Sequence, residues 1–197
     1  MKTLLFTLLL ISGSTFAQNS DIGVDGYGKI RIGTPLSDVE KLLKPIDSAP
    51  EYAWFAIRNY EWYKENWGIK DSSEYLEIME TEGNNFFGIP KDKFHGNFMG
   101  LRVQAICLYL NENDVINGIR MVLNEKDVTL RSKVILMAEL SKKLGDSQCI
   151  MGIGYKPETF ICDWGTDGSH VLSVSDMEDE GEGQGKSINI SFFPNEY

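Results

Sequence analysis

Apolar and polar positions alternate in some stretches of the chain and recur with a helical period in others, and this pattern marks its elements. Lys29-Ile30-Arg31-Ile32 alternates and predicts a short strand. Gly33-Thr34-Pro35 then opens a helix: Thr34 can cap it, and Pro35 suits the first helical position, where a missing N–H costs nothing. Leu36, Val39 and Leu43 make one apolar stripe, and Pro45 ends the predicted helix near Lys44. Residues 74–80 alternate as a strand, and residues 83–100, with their Asn, Gly and Pro, read as a long loop. Leu101 to Leu110 and Val115 to Leu123 flank a polar turn and predict a hairpin. Asp127 is the expected cap of a helix from Val128 to Leu144, which Gly145 ends. Leu130, Val134, Met137, Leu140 and Leu144 form its expected apolar stripe, with Lys133, Lys142 and Lys143 outside. Further strands are predicted at 159–164, 171–175 and 187–193.

In this order helices precede meandering strands instead of separating parallel ones. The expected fold is therefore α+β, an antiparallel sheet with helices packed on one face. Both halves begin with an amphipathic helix and continue into strands, which suggests two tandem helix-plus-meander repeats. The expected division is a flexible leader at 18–28, one half at 29–124 and a second at 125–197, packed as one compact unit.

Residues 1–17 have the three-part pattern of a cleavable secretory signal. Lys2 supplies the charge, Leu4 to Ile11 the apolar core, and Thr15-Phe16-Ala17 the small residues a signal peptidase inspects. The apolar run is too short for a membrane span, which needs about 20 residues. No Cys follows Ala17, so no lipid anchor is expected there. The expected location is periplasmic or secreted. Cleavage leaves 180 residues, enough for a substantial core.

Charge narrows the partners. The full chain carries −10, and loss of Lys2 with the leader takes it to −11. Such a surface repels nucleic acid and anionic membranes, and it suits a basic protein partner. An oxidising compartment makes a disulfide plausible among the three cysteines. Cys149 and Cys162 flank a segment with Gly152, Gly154 and Pro157 that can fold back, so they are the expected pair. Cys107, in an apolar run, reads as a buried free thiol.

Catalytic signatures are absent from the sequence. It has no phosphate-binding Gly loop, no G-x-S-x-G elbow, no H-E-x-x-H and no S-x-x-K. His95 and His170 give no reason to expect a metal site, so no metal, cofactor or catalytic residue is assigned. Asp176, Glu178 and Glu180 begin like a calcium loop, but Ser187 stands where its bidentate Glu belongs. Asn189-Ile190-Ser191 is a glycosylation triplet lying in a predicted strand.

Tyr52 to Trp67 holds three of the four tryptophans. It reads either as core or as an interface, because aromatic residues dominate interiors and are also enriched among binding hot spots. Tyr60, Trp62, Tyr63 and Trp67 stand among charged residues and are the candidate binding residues. Ile32-Gly33-Thr34-Pro35-Leu36-Ser37-Asp38-Val39, with Leu42-Leu43 and Pro45, resembles a motif of BamE-type envelope proteins and of β-lactamase inhibitory proteins. The resemblance spans about a dozen residues, lacks the Gly of the family's Leu-Gly-x-Pro, and implies helix-plus-sheet repeats and protein binding. Two functions follow as expectations. One is an exported, non-enzymatic protein-binding protein of inhibitor or immunity type. The alternative is an exported hydrolase using a carboxylate pair, which leaves no sequence motif.

Overall fold

The computed structural model describes residues 21–46, 64, 68–71, 73, 84–151, 160–176 and 188–195. Three short strands, β1 (Ile22–Gly23), β2 (Gly26–Tyr27) and β3 (Ile30–Arg31), form a small antiparallel sheet. A four-residue helix, α1 (Leu36–Val39), runs into a 3₁₀ turn and then β4 (Leu43–Pro45). The strands β5 (Asn84–Pro90), β6 (Asn97–Phe98), β7 (Leu101–Leu110) and β8 (Ile116–Leu123) follow. Helix α2 (Leu130–Leu144) leads to β9 (Gln148–Met151), β10 (Phe160–Trp164), β11 (His170–Asp176) and β12 (Ile188–Pro194).

The main sheet has the order β4-β5-β7-β8-β12-β11-β10-β9, with β6 on β7, and its pairings are antiparallel. Chain order explains the arrangement. The first strands step from one edge to the centre. The connection containing α2 then reaches the opposite edge at β9, and the chain meanders back until β12 pairs with β8. One face of this sheet is the core. Ile119 and Met121 on β8 stand opposite Phe192 and Ile190 on β12, and Leu172, Val174, Cys162 and Trp164 continue the layer outward. Tyr27 and Ile30 of the small sheet and Leu136 and Leu140 of α2 join the same cluster.

The expectation of an α+β fold with helices covering one face, in two helix-plus-meander repeats, is corrected by this arrangement. Antiparallel strands dominate, and the fold is β-rich. The predicted helix at 35–44 stops after four residues because Leu43 to Pro45 pairs with β5 instead. That pairing needs Gly88: a Cβ there would lie 2.9 Å from the Cβ of Leu43. β5 itself falls in the predicted loop. Its Asn and Gly residues discourage a strand locally, but pairing with β4 and β7 on its two sides overrides propensity. Residues 22–27 are strands instead of a loose leader, anchored by the fully buried Tyr27.

Thr34 makes no cap. Pro35 takes the N-cap position without a side-chain bond, and the Thr34 carbonyl accepts from the Ile116 N–H at 2.9 Å. In α2 the cap is Thr129 instead of Asp127. Its hydroxyl accepts from the Ser132 N–H at 3.1 Å, and the Ser132 hydroxyl accepts from the Thr129 N–H at 2.7 Å. The buried face of α2 is also rotated from the expected stripe. Leu136 and Leu140 are buried, Leu130 and Val134 are exposed, and Lys133 turns inward to Asp176. The β7–β8 hairpin, the Gly145 stop and the burial of Cys107 outside the disulfide match the expectation.

Candidate interaction surface

Most large apolar side chains of the described residues are sorted inward. Five are not: Ile89 on β5 is 39% exposed, and Leu130 (80%), Val134 (61%), Ile150 (66%) and Met151 (63%) are far more so. Leu130 and Val134 are four residues apart on α2 and share one face of the helix. Ile150 and Met151 end β9, whose four residues are all exposed. Gly145 makes β9 possible. At φ +89° it closes α2, its N–H bonding the Ser141 carbonyl at 2.9 Å, and redirects the chain.

β9 lies at the end of the sheet and pairs only with β10 among the described strands. Cys149 stands opposite Cys162 in the ladder, with Cα atoms 4.1 Å apart, and the two form the expected disulfide. The Gln148 side-chain amide donates to the Thr166 hydroxyl at 3.0 Å and fixes the other end. On the same face as Gln148, Asp163 has a buried Oδ1 without a hydrogen-bond partner. The edge is thus stapled and apolar, with a carboxylate one strand in.

Other polar clusters pair within the fold, some buried and one, Arg102–Asp127, at the surface. His95, with a side chain 6% exposed, has Nδ1 2.8 Å from Asp92 Oδ2, while the Lys29 N–H reaches its Nε2 at 3.4 Å. The Tyr27 hydroxyl donates to the His95 carbonyl at 2.8 Å. Both ring nitrogens are engaged, so this Asp–His pair offers no open base to a substrate. Burial pushes the Asp92 carboxyl up. Hydrogen bonds from the His95 backbone and ring and from the Phe94 N–H outweigh that and hold it below the usual range. Burial, reinforced by the Asp92 charge, pushes the Tyr27 phenol far up. Asp127 is held low first by the Arg102 side-chain hydrogen bonds, at 2.7 and 2.8 Å. Lys133 pairs with Asp176, which is 1% exposed.

His170 is engaged by the Ser169 hydroxyl at 2.9 Å. No group of three or more His, Cys, Asp or Glu among the described residues is arranged to hold a metal. A shallow depression beside the α2 N-terminus, lined by Met99, Thr129, Arg131 and Ile135 among others, is small beside the 300–1,000 Å³ or so of ordinary ligand sites. Asn189 is 5% exposed near the start of β12, so the folded chain does not present it for glycosylation.

The candidate binding residues Tyr60, Trp62, Tyr63 and Trp67, the predicted strand at 74–80, the signal segment 1–17 and Glu178 to Ser187 lie outside the described residues. Sequence reasoning missed the exposure of Leu130, Val134, Ile150 and Met151. Leu130 and Val134 were legible as apolar but fell on the predicted core stripe. Ile150 and Met151 fell inside the expected disulfide hairpin, where no pattern separated an edge strand from its turn. Among the described residues no helix is long and apolar enough to cross a membrane, and the disulfide is compatible with an oxidising compartment. No known family, curated protein or solved structure matches the chain.

Proposed function

We infer that the protein is exported and acts by holding another protein, as an inhibitor or immunity-type protein does, instead of by catalysis. The observation that carries this reading is the set of large apolar side chains left on the surface of α2 and β9. Water-exposed apolar patches on a well-packed protein mark places where a partner covers them. The acidic charge of the chain selects a basic partner and speeds its encounter. The signal-like residues 1–17 and the Cys149–Cys162 bridge support export. Tyr60, Trp62, Tyr63 and Trp67 are proposed as further contacts, since Trp and Tyr supply much of the energy at interfaces.

Comparative capture tests the reading. The natural chain, a variant with Leu130, Val134, Ile150 and Met151 changed to Asp, and a Trp62→Ala/Trp67→Ala variant are tethered and exposed to envelope extract. The expected outcome is one stoichiometric basic protein that the natural chain retains and both variants lose. Equal retention by all three, or no stoichiometric protein on the natural chain, contradicts the reading.

A further inference from the structure

The two ends of the main sheet differ. β4 is three residues long and carries Lys44 and Pro45, which discourage the addition of another strand. β9 carries Gln148, Cys149, Ile150 and Met151, with neither charge nor proline. In an antiparallel pair the backbone groups not bonded to the neighbour point outward, so β9 presents N–H and C=O groups on the side away from β10, where no described strand pairs with it. Ile150 shares a face with Ile161, and Met151 shares the opposite face with Phe160. An added strand therefore meets an apolar side chain on each face. The disulfide holds β9 in register with β10, so binding need not order it.

We propose that β9 is the docking edge and takes an extended, basic segment of a partner protein as an added strand. This rests on the protein-binding reading above and names its surface. Main-chain hydrogen bonds supply affinity with little regard to sequence, and Ile150 and Met151 select apolar residues on the added strand. Charge decides between occupants. A chain of net −10 repels a second copy of itself and attracts a basic segment. Asp163, directly opposite Gln148 on β10, adds a carboxylate one strand in from this edge, which favours a basic segment through the local field.

The test uses the oxidised chain and a synthetic peptide, Lys-Val-Lys-Ile-Lys-Val-Lys, as probe, with amide hydrogen exchange as readout. The expected result is slowed exchange at residues 148–151 but not at β4, with binding detectable at about 1 mM peptide. Ile150→Asp changes an exposed side chain and leaves the disulfide intact. It should weaken binding at least about tenfold, and a peptide with Glu in place of Lys should not protect. Lack of protection at β9 overturns the proposal. Protection without peptide that grows with chain concentration also overturns it, because the occupant is then a second copy. Protection of α2 alone overturns the choice of edge and leaves the protein-binding reading standing. That reading fails separately, if capture yields no partner that depends on the exposed residues.

Discussion

Tyr27, His95 and Asp92 tie the small sheet to the loop ahead of β6, through contacts between residues 68 positions apart in sequence. Tyr27→Phe leaves the His95 carbonyl without its buried donor and should cost about 1–2 kcal/mol, read by denaturant unfolding. The buried phenol also sets an alkaline limit. Its folded pKa is raised, so its contribution is intact below the unfolded value near 10 and is lost as pH rises beyond it. Asp92 and Asp127 act in the other direction. Their folded pKa values are lowered, so the stability they contribute is present above the ordinary carboxylate value of about 4 and is lost as pH falls through that range. The melting temperature of an Asp92→Asn/Asp127→Asn variant should therefore fall less steeply in acid than that of the natural chain. An unchanged slope removes these two groups from the acid response. Lys133 gives a sharper case. Lys133→Met strands the buried Asp176 carboxylate and should cost about 3–5 kcal/mol, much of it recovered in Lys133→Met/Asp176→Leu. The pairs Tyr27–His95, Arg102–Asp127 and Lys133–Asp176 were not legible in the sequence, because each joins residues that only the tertiary fold brings together.

Helix α2 shows what periodicity can and cannot resolve. Its extent was legible to within two residues at its start, since Gly145 and the apolar repeat both mark it. Its buried face was legible in part: Met137, Leu140 and Leu144 of the expected stripe face the core, and Leu130 and Val134 do not. Val134, Ile135, Leu136 and Met137 are apolar in succession, so several stripes fit equally well and the sheet decides among them. Leu140→Ala should cost about 2–5 kcal/mol, because its side chain is fully buried. Leu130→Ala should stay within about 0.5 kcal/mol, because it is exposed. Comparable losses at the two sites would contradict the observed orientation. The β9–β10 ladder was legible through its cysteines alone, since neither strand edge has a strong pattern. Changing Cys149 and Cys162 to Ala should cost about 3 kcal/mol on the chain-entropy model, and should speed amide exchange in β9 before it does so in β7 or β8.

The large sheet joins its earlier strands to its last one at β8–β12, a contact between residues far apart in the chain that no local signal marks. The central hairpin and the last three strands were readable from apolar runs bounded by turn residues. The sheet order was not, nor was the balance between helix and strand, because Leu43 to Pro45 becomes a strand by pairing with β5, and Asn84 to Pro90 by pairing with both β4 and β7. Of the interaction surface, the acidic charge and the disulfide were legible, and the exposure of Ile150 and Met151 was not. Exposure depends on where a strand falls in the sheet, and β9 falls at its open end. Function is thus argued from a surface whose position is a property of the whole topology. Site-specific photo-crosslinking tests that claim most directly. A crosslinking amino acid replaces Ile150, or Asn117 on the exposed part of β8 as a control, and the cells of origin are irradiated. The expected result is a single adduct with one basic protein from position 150 and none from position 117. No adduct from position 150, or the same adduct from both positions, would contradict a docking role for this edge.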